Sequence, residues 1–127
     1  MHRTLALVLL FVTAPAVAAE EAHTWDLTAI FPDLASWEAA RVKVGVDLEA
    51  FGDCQGRMTR SAADLRSCLD RYSGLQQTLE GVFVYASSAA DVDNRQAEAT
   101  ARRGDATLLW SRMGEATAFV EPELLAA

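Results

Sequence analysis

Between Leu65 and Ala86 the chain keeps one periodicity for about six turns of helix. Leu65, Cys68, Leu69, Tyr72, Leu75, Leu79, Val82, Phe83 and Ala86 recur at three- and four-residue intervals. That interval places side chains on one face of an α-helix. Gly74 and Gly81 interrupt the stripe without shifting its register. Ser61-Ala62-Ala63-Asp64 opens it with a hydroxyl and, three residues on, an acid, close to a capping box with Asp in place of Glu. A stripe this long must be covered by other elements, so the rest of the chain has to supply matching faces. Ser87 to Asp93 is small and polar and predicts a tight connection to the next helix.

Two further stripes answer that need. Trp37, Ala40, Val44, Leu48 and Phe51 predict a first helix over 34–51, with Asp33 or Ser36 as its cap. Before it, residues 25–33 read as an extended lead-in ending in a turn, because Pro32 biases Phe31 away from helix. Gly52 and Gly56 mark the exit from this helix. Ala99, Ala106, Leu109, Met113, Ala116 and Val120 predict a third helix, starting near Asp93 or Asn94 and stopping before Pro122. Leu108, Trp110 and Phe119 widen its apolar face. Alanine is abundant and aromatics are few, which suits helices better than a sheet. The expected fold is all-α: three long antiparallel amphipathic helices. The breadth of the third face and the exposed Leu124-Leu125 end point to missing packing partners.

Residues 1–19 have the layout of a signal peptide: a positive start at His2 and Arg3, an apolar run over 5–12, and small residues over 14–19. The apolar run is shorter than the roughly 20 residues that span a bilayer. The expectation is an exported chain, periplasmic or secreted, with a helical domain over 20–127 and no membrane attachment after cleavage. The 18 acidic residues against 11 basic ones give a formal charge of −7, and loss of Arg3 makes it −8. Such a chain repels nucleic acid and anionic lipid.

Cys54 and Cys68 both lie in the exported part, where an oxidising compartment allows them to pair. Cys68 sits about two turns into the second helix, and two turns rise about 10 Å. The loop carrying Cys54 must therefore fold back before a bond can form, and the spacing leaves the candidate disulfide open. A catalytic thiol lacks a histidine to activate it, since only His23 remains after cleavage. No catalytic, cofactor-binding or metal-binding residue is assigned. Asp91-Val92-Asp93-Asn94 hints at calcium, but Gln96 and Arg102 occupy the positions where an EF-hand loop needs glycine and glutamate. It reads as a turn capping the third helix. His23 beside Glu20 and Glu21 reads as a tail, Glu121 and Glu123 as a solvated turn, and Ser61 as a cap. Tyr72, Tyr85, Trp110 and Met113 read as core or interface.

One ordered set of short motifs remains. Trp25-Asp26-Leu27 is followed by Phe31-Pro32-Asp33 and Trp37. Tyr85-Ala86-Ser87, Asp91-x-Asp93-Asn94 and Phe119-x-x-Pro122-Glu123-Leu124 come later. In order and spacing the set resembles the N-terminal region of oligoendopeptidase F, a thimet-oligopeptidase-like zinc metallopeptidase. The resemblance implies an all-helical fold that encloses a channel for short peptides, with this region in one wall. It also implies zinc held by a His-Glu-x-x-His helix further along such proteins, a sequence that these 127 residues do not contain. The expectation is a truncated region, inactive alone, whose partner is the remainder of the peptidase fold. The rival is a free-standing periplasmic helical binding or adaptor module with a helical protein partner.

Overall fold

A computed structural model describes residues Trp25 to Ala126. The signal-peptide reading of residues 1–19, and the tail reading of Glu20, Glu21 and His23, lie outside the described residues. Within them the fold is all-α, with three long helices and a short fourth: α1 Leu34–Phe51, α2 Ala62–Val92, α3 Ala97–Thr117 and α4 Val120–Leu125. α2 is the spine, packing along both α1 and α3, and α1 and α3 also touch each other.

The bounds of α1 are those its sequence pattern predicts. Asp33 caps it, its carboxylate accepting from the Ser36 backbone N–H at 2.7 Å. Trp37, Val44, Leu48 and Phe51 are buried and Ala40 packs at the edge of the core. The lead-in is not extended throughout. Asp26 accepts from the Thr28 backbone N–H at 3.1 Å and nucleates a 3-10 turn over Leu27–Ala29.

α2 starts at its expected cap, with Ser61 Oγ accepting from the Asp64 N–H at 3.0 Å. The box is not reciprocal in the usual way. The Asp64 carboxylate takes the Ser61 hydroxyl at 3.1 Å and the Arg57 guanidinium at 2.6 Å. α2 also runs on through Ser87–Val92, the segment whose small polar residues predict a connection. Its alanines explain the difference: Ala86 and Ala90 are fully buried, so the small side chains serve helix packing rather than a turn. The connection is shorter, over 93–96. There Asp93 ends α2, accepting from the Arg95 N–H at 3.1 Å, and α3 starts after Gln96 with no side-chain cap. Neither Asp93 nor Asn94 caps α3, because the turn consumes Asp93.

α3 buries Ala99, Ala106, Leu109 and Met113, with Trp110 and Ala116 against the core; Phe119, just past its end, packs there too. Leu108 does not widen that face; it is 60% exposed on the outer side. The third helix stops at Thr117, and Val120 belongs to α4. Pro122 does not break the chain here: it sits in the first turn of α4, where a missing N–H costs nothing.

The core is one contiguous cluster with a distinct character at each end of the α1–α2 pair. At one end Trp37 stacks on Tyr85, with ring centroids 6.2 Å apart, and Phe31 meets the same tyrosine edge-on at 5.7 Å. At the other Phe51 stacks on Phe119 at 5.6 Å and lies near Tyr72.

Candidate functional site

The residues that carry the motifs gather at these two ends. Trp37 is 1% exposed, and its indole N–H donates to the Val82 carbonyl oxygen at 2.9 Å. A buried indole N–H without a partner costs about 1–3 kcal/mol, so this bond fixes the height of α1 against α2. Phe31 lies over Gly81, whose missing side chain gives the ring room: an added Cβ would meet it at 3.7 Å. Phe31, Trp37 and Tyr85 thus form one aromatic clasp.

At the opposite end the chain leaves α1 through a 3-10 turn, Gly52–Cys54, and reverses at Gly56, whose φ of 73° favours glycine. The reversal folds the loop back over the start of α2, as a pairing of the two cysteines requires. In the structure Cys54 and Cys68 are bonded, with Cα atoms 5.8 Å apart and both side chains buried. Arg71 braces the same corner. It donates to the Ala50 carbonyl at 2.6 Å and lies 5.9 Å from the Phe51 ring centroid. α4 is tied in by Glu123, whose carboxylate accepts the Gly56 backbone N–H at 2.5 Å. That contact joins positions 67 residues apart and has no local sequence signal. Glu121 and Glu123 therefore do not act as a solvated pair.

Other polar groups serve caps, turns and ties between helices. The Ser36 N–H holds the Asp33 carboxyl below the usual carboxylate range. Arg57 does the same for Asp64, aided by Ser61, and Arg95 for Asp93. Asp91 pairs with Arg103 at 2.8 Å and ties the end of α2 to α3. Tyr72, Tyr85, Trp110 and Met113 line the core, as expected. Shallow grooves flank α1. One lies against α2, between Lys43, Asp47, Arg71 and Thr78; others lie against α3, between Leu34, Glu38, Arg102 and Asp105 and between Glu49, Arg112 and Glu115.

No group of three or more His, Cys, Asp or Glu side chains able to hold a metal occurs among the described residues. Both thiols are committed to each other. Zinc therefore does not fit the donor set of this region. No helix among the described residues is long and apolar enough to cross a membrane.

The geometry is that of three packed helices whose α1–α2 pair is fastened at both ends. The chain is 34% identical over 106 residues to the plasmid oligoendopeptidase F of Lactococcus lactis subsp. cremoris, and 37% identical over 106 residues to the chromosomal one. The Group B oligopeptidase of Streptococcus agalactiae serotype III is 32% identical over 106 residues. The matches take in 83%, 83% and 84% of this chain, which spans 18% of the length of each relative. No protein-family model matches the chain, and no solved structure does. The chain is thus a relative of the oligoendopeptidase F peptidases, matched to one section of them.

Proposed function

We propose that this chain forms the N-terminal helical wall of an exported oligoendopeptidase F-like zinc metallopeptidase acting on short peptides, and that the chain alone is not catalytic. The observation that carries the reading is the identity to oligoendopeptidases along most of the chain. The motif residues support it: Phe31, Trp37, Tyr85 and Glu123 make packing contacts that hold helices together. On this reading the section shapes and narrows the peptide cleft, while zinc and its ligands lie elsewhere in the whole protein. Export would supply the oxidising compartment in which Cys54 and Cys68 stay bonded.

A second reading, a free-standing helical binding module, draws on the contiguous core and the closed disulfide corner. The intact mass of the native product separates the two: several times that of a 108-residue chain for the peptidase, near it for the module. Purified alone, the chain should retain no stoichiometric zinc and cleave no peptide. Peptide hydrolysis by this chain that a chelator abolishes would overturn the proposal.

A further inference from the structure

α1 carries a second apolar face. Ala35, Ala39, Val42, Val46 and Ala50 follow one another at intervals of four, three, four and four residues. At about 100° per residue they form a stripe opposite Trp37, Val44, Leu48 and Phe51. All five are exposed, Val42 by 53% and Val46 by 60%. Exposed alanine is ordinary in a helix, but two valines on a solvent face are not, because β-branching lowers helix propensity and water rewards neither side chain. A helix with only one covered face carries polar residues there.

The charges bordering the stripe are already neutralised. Glu38 pairs with Arg41, Lys43 with Asp47, and Glu49 reaches Arg112 of α3 at 3.4 Å. A partner therefore needs no compensating charge, only an apolar helix face.

We infer that this face of α1 is where the remainder of an oligoendopeptidase-type chain docks, laying an apolar helix along Val42 and Val46. The inference rests on the reading proposed above. A matched stretch of 106 residues in a chain of 127 must include α1, and the relatives continue far beyond it, since this chain spans 18% of them. The relatives therefore have ample chain beyond this section to cover the stripe. A second copy of this chain is the competing occupant.

The test replaces the matched section of the Lactococcus lactis chromosomal oligoendopeptidase F with this chain and introduces Val42→Glu and Val46→Glu together. The same double variant is made in the isolated chain. In isolation the thermal midpoint should hold, because both side chains face water. In the chimera two carboxylates buried without partners should cut peptide hydrolysis more than about tenfold and lower the thermal midpoint. Full activity and an unchanged midpoint in the double-variant chimera would overturn the docking face while leaving the wall reading intact. An unfolded, inactive parent chimera would count against the wall reading and remove both. Sedimentation of the isolated chain completes the test: a dimer that the double variant disperses would assign the face to a second copy and overturn the inference.

Discussion

The two ends of the α1–α2 pair are fastened by different means. The Trp37 end is held by side chains alone: an indole N–H on a helix carbonyl and three aromatic rings. The Cys54 end is held by a covalent bond, a reversed loop, an arginine brace and a carboxylate tie to α4. The first kind of fastening depends on burying large rings, and deletion of any one leaves a cavity. The second depends on closing a loop, and its loss chiefly frees the unfolded chain. Physical stress should therefore separate the two ends.

The sharpest break is Trp37→Ala. It should cost about 3–5 kcal/mol, from a large cavity and an orphaned carbonyl contact, with near-UV circular dichroism of the Tyr85 region lost at the same time. Removing the disulfide, by Cys54→Ser with Cys68→Ser or by reduction, should cost about 3 kcal/mol for its short loop, read as a lower urea midpoint. Hydrogen exchange should then rise around the Gly56 loop and α4 while the Trp37 clasp stays protected. If both ends loosened together, the contrast would be wrong. Glu123→Ala should cost about 1 kcal/mol and raise exchange in α4 alone.

A stabilising change sharpens the same contrast. Gly74 lies in α2 between the two ends, with nothing within 4 Å of an added Cβ. Gly74→Ala should raise stability by about 1 kcal/mol and protect both ends equally. Acid acts on both ends too, more weakly. The folded-state pKa values of Asp33 and Asp64 are depressed, so the stability these groups contribute is present above the ordinary carboxylate pKa of about 4. It is lost as pH falls through their lower folded values. A thermal midpoint that rose on acidification through that range would contradict these caps.

What could be read from the sequence follows this division. The Trp37 end was largely legible because Trp37 sits on a periodic stripe, Phe31 beside the Asp33 cap and Tyr85 next to the α2 stripe. α1 was legible to the residue for that reason. The Cys54 end was not: whether the loop reversed depended on Gly56 and on a carboxylate 67 residues away. Ser87–Val92 misled because small residues serve turns and tight helix contacts alike, and only burial of Ala90 separates them. Leu108 misled for a simpler reason. An apolar residue near a stripe need not be on it, and Leu108 stands nearly opposite the buried Ala99 and Ala106 around the helix. The outer stripe of α1 was present as spacing, but Trp37 and Phe51 on the other face had already accounted for the helix.

α2 runs 31 residues without a break. At 1.5 Å per residue it is a rod about 46 Å long. A rod is a lever: Val92 lies about 36 Å along it from Cys68, so a tilt of about 5° pivoting at the disulfide would carry the far end about 3 Å, more than half the pitch of a helix turn. In a cleft wall, the stiffness of that corner would then set how far the opposite rim can swing.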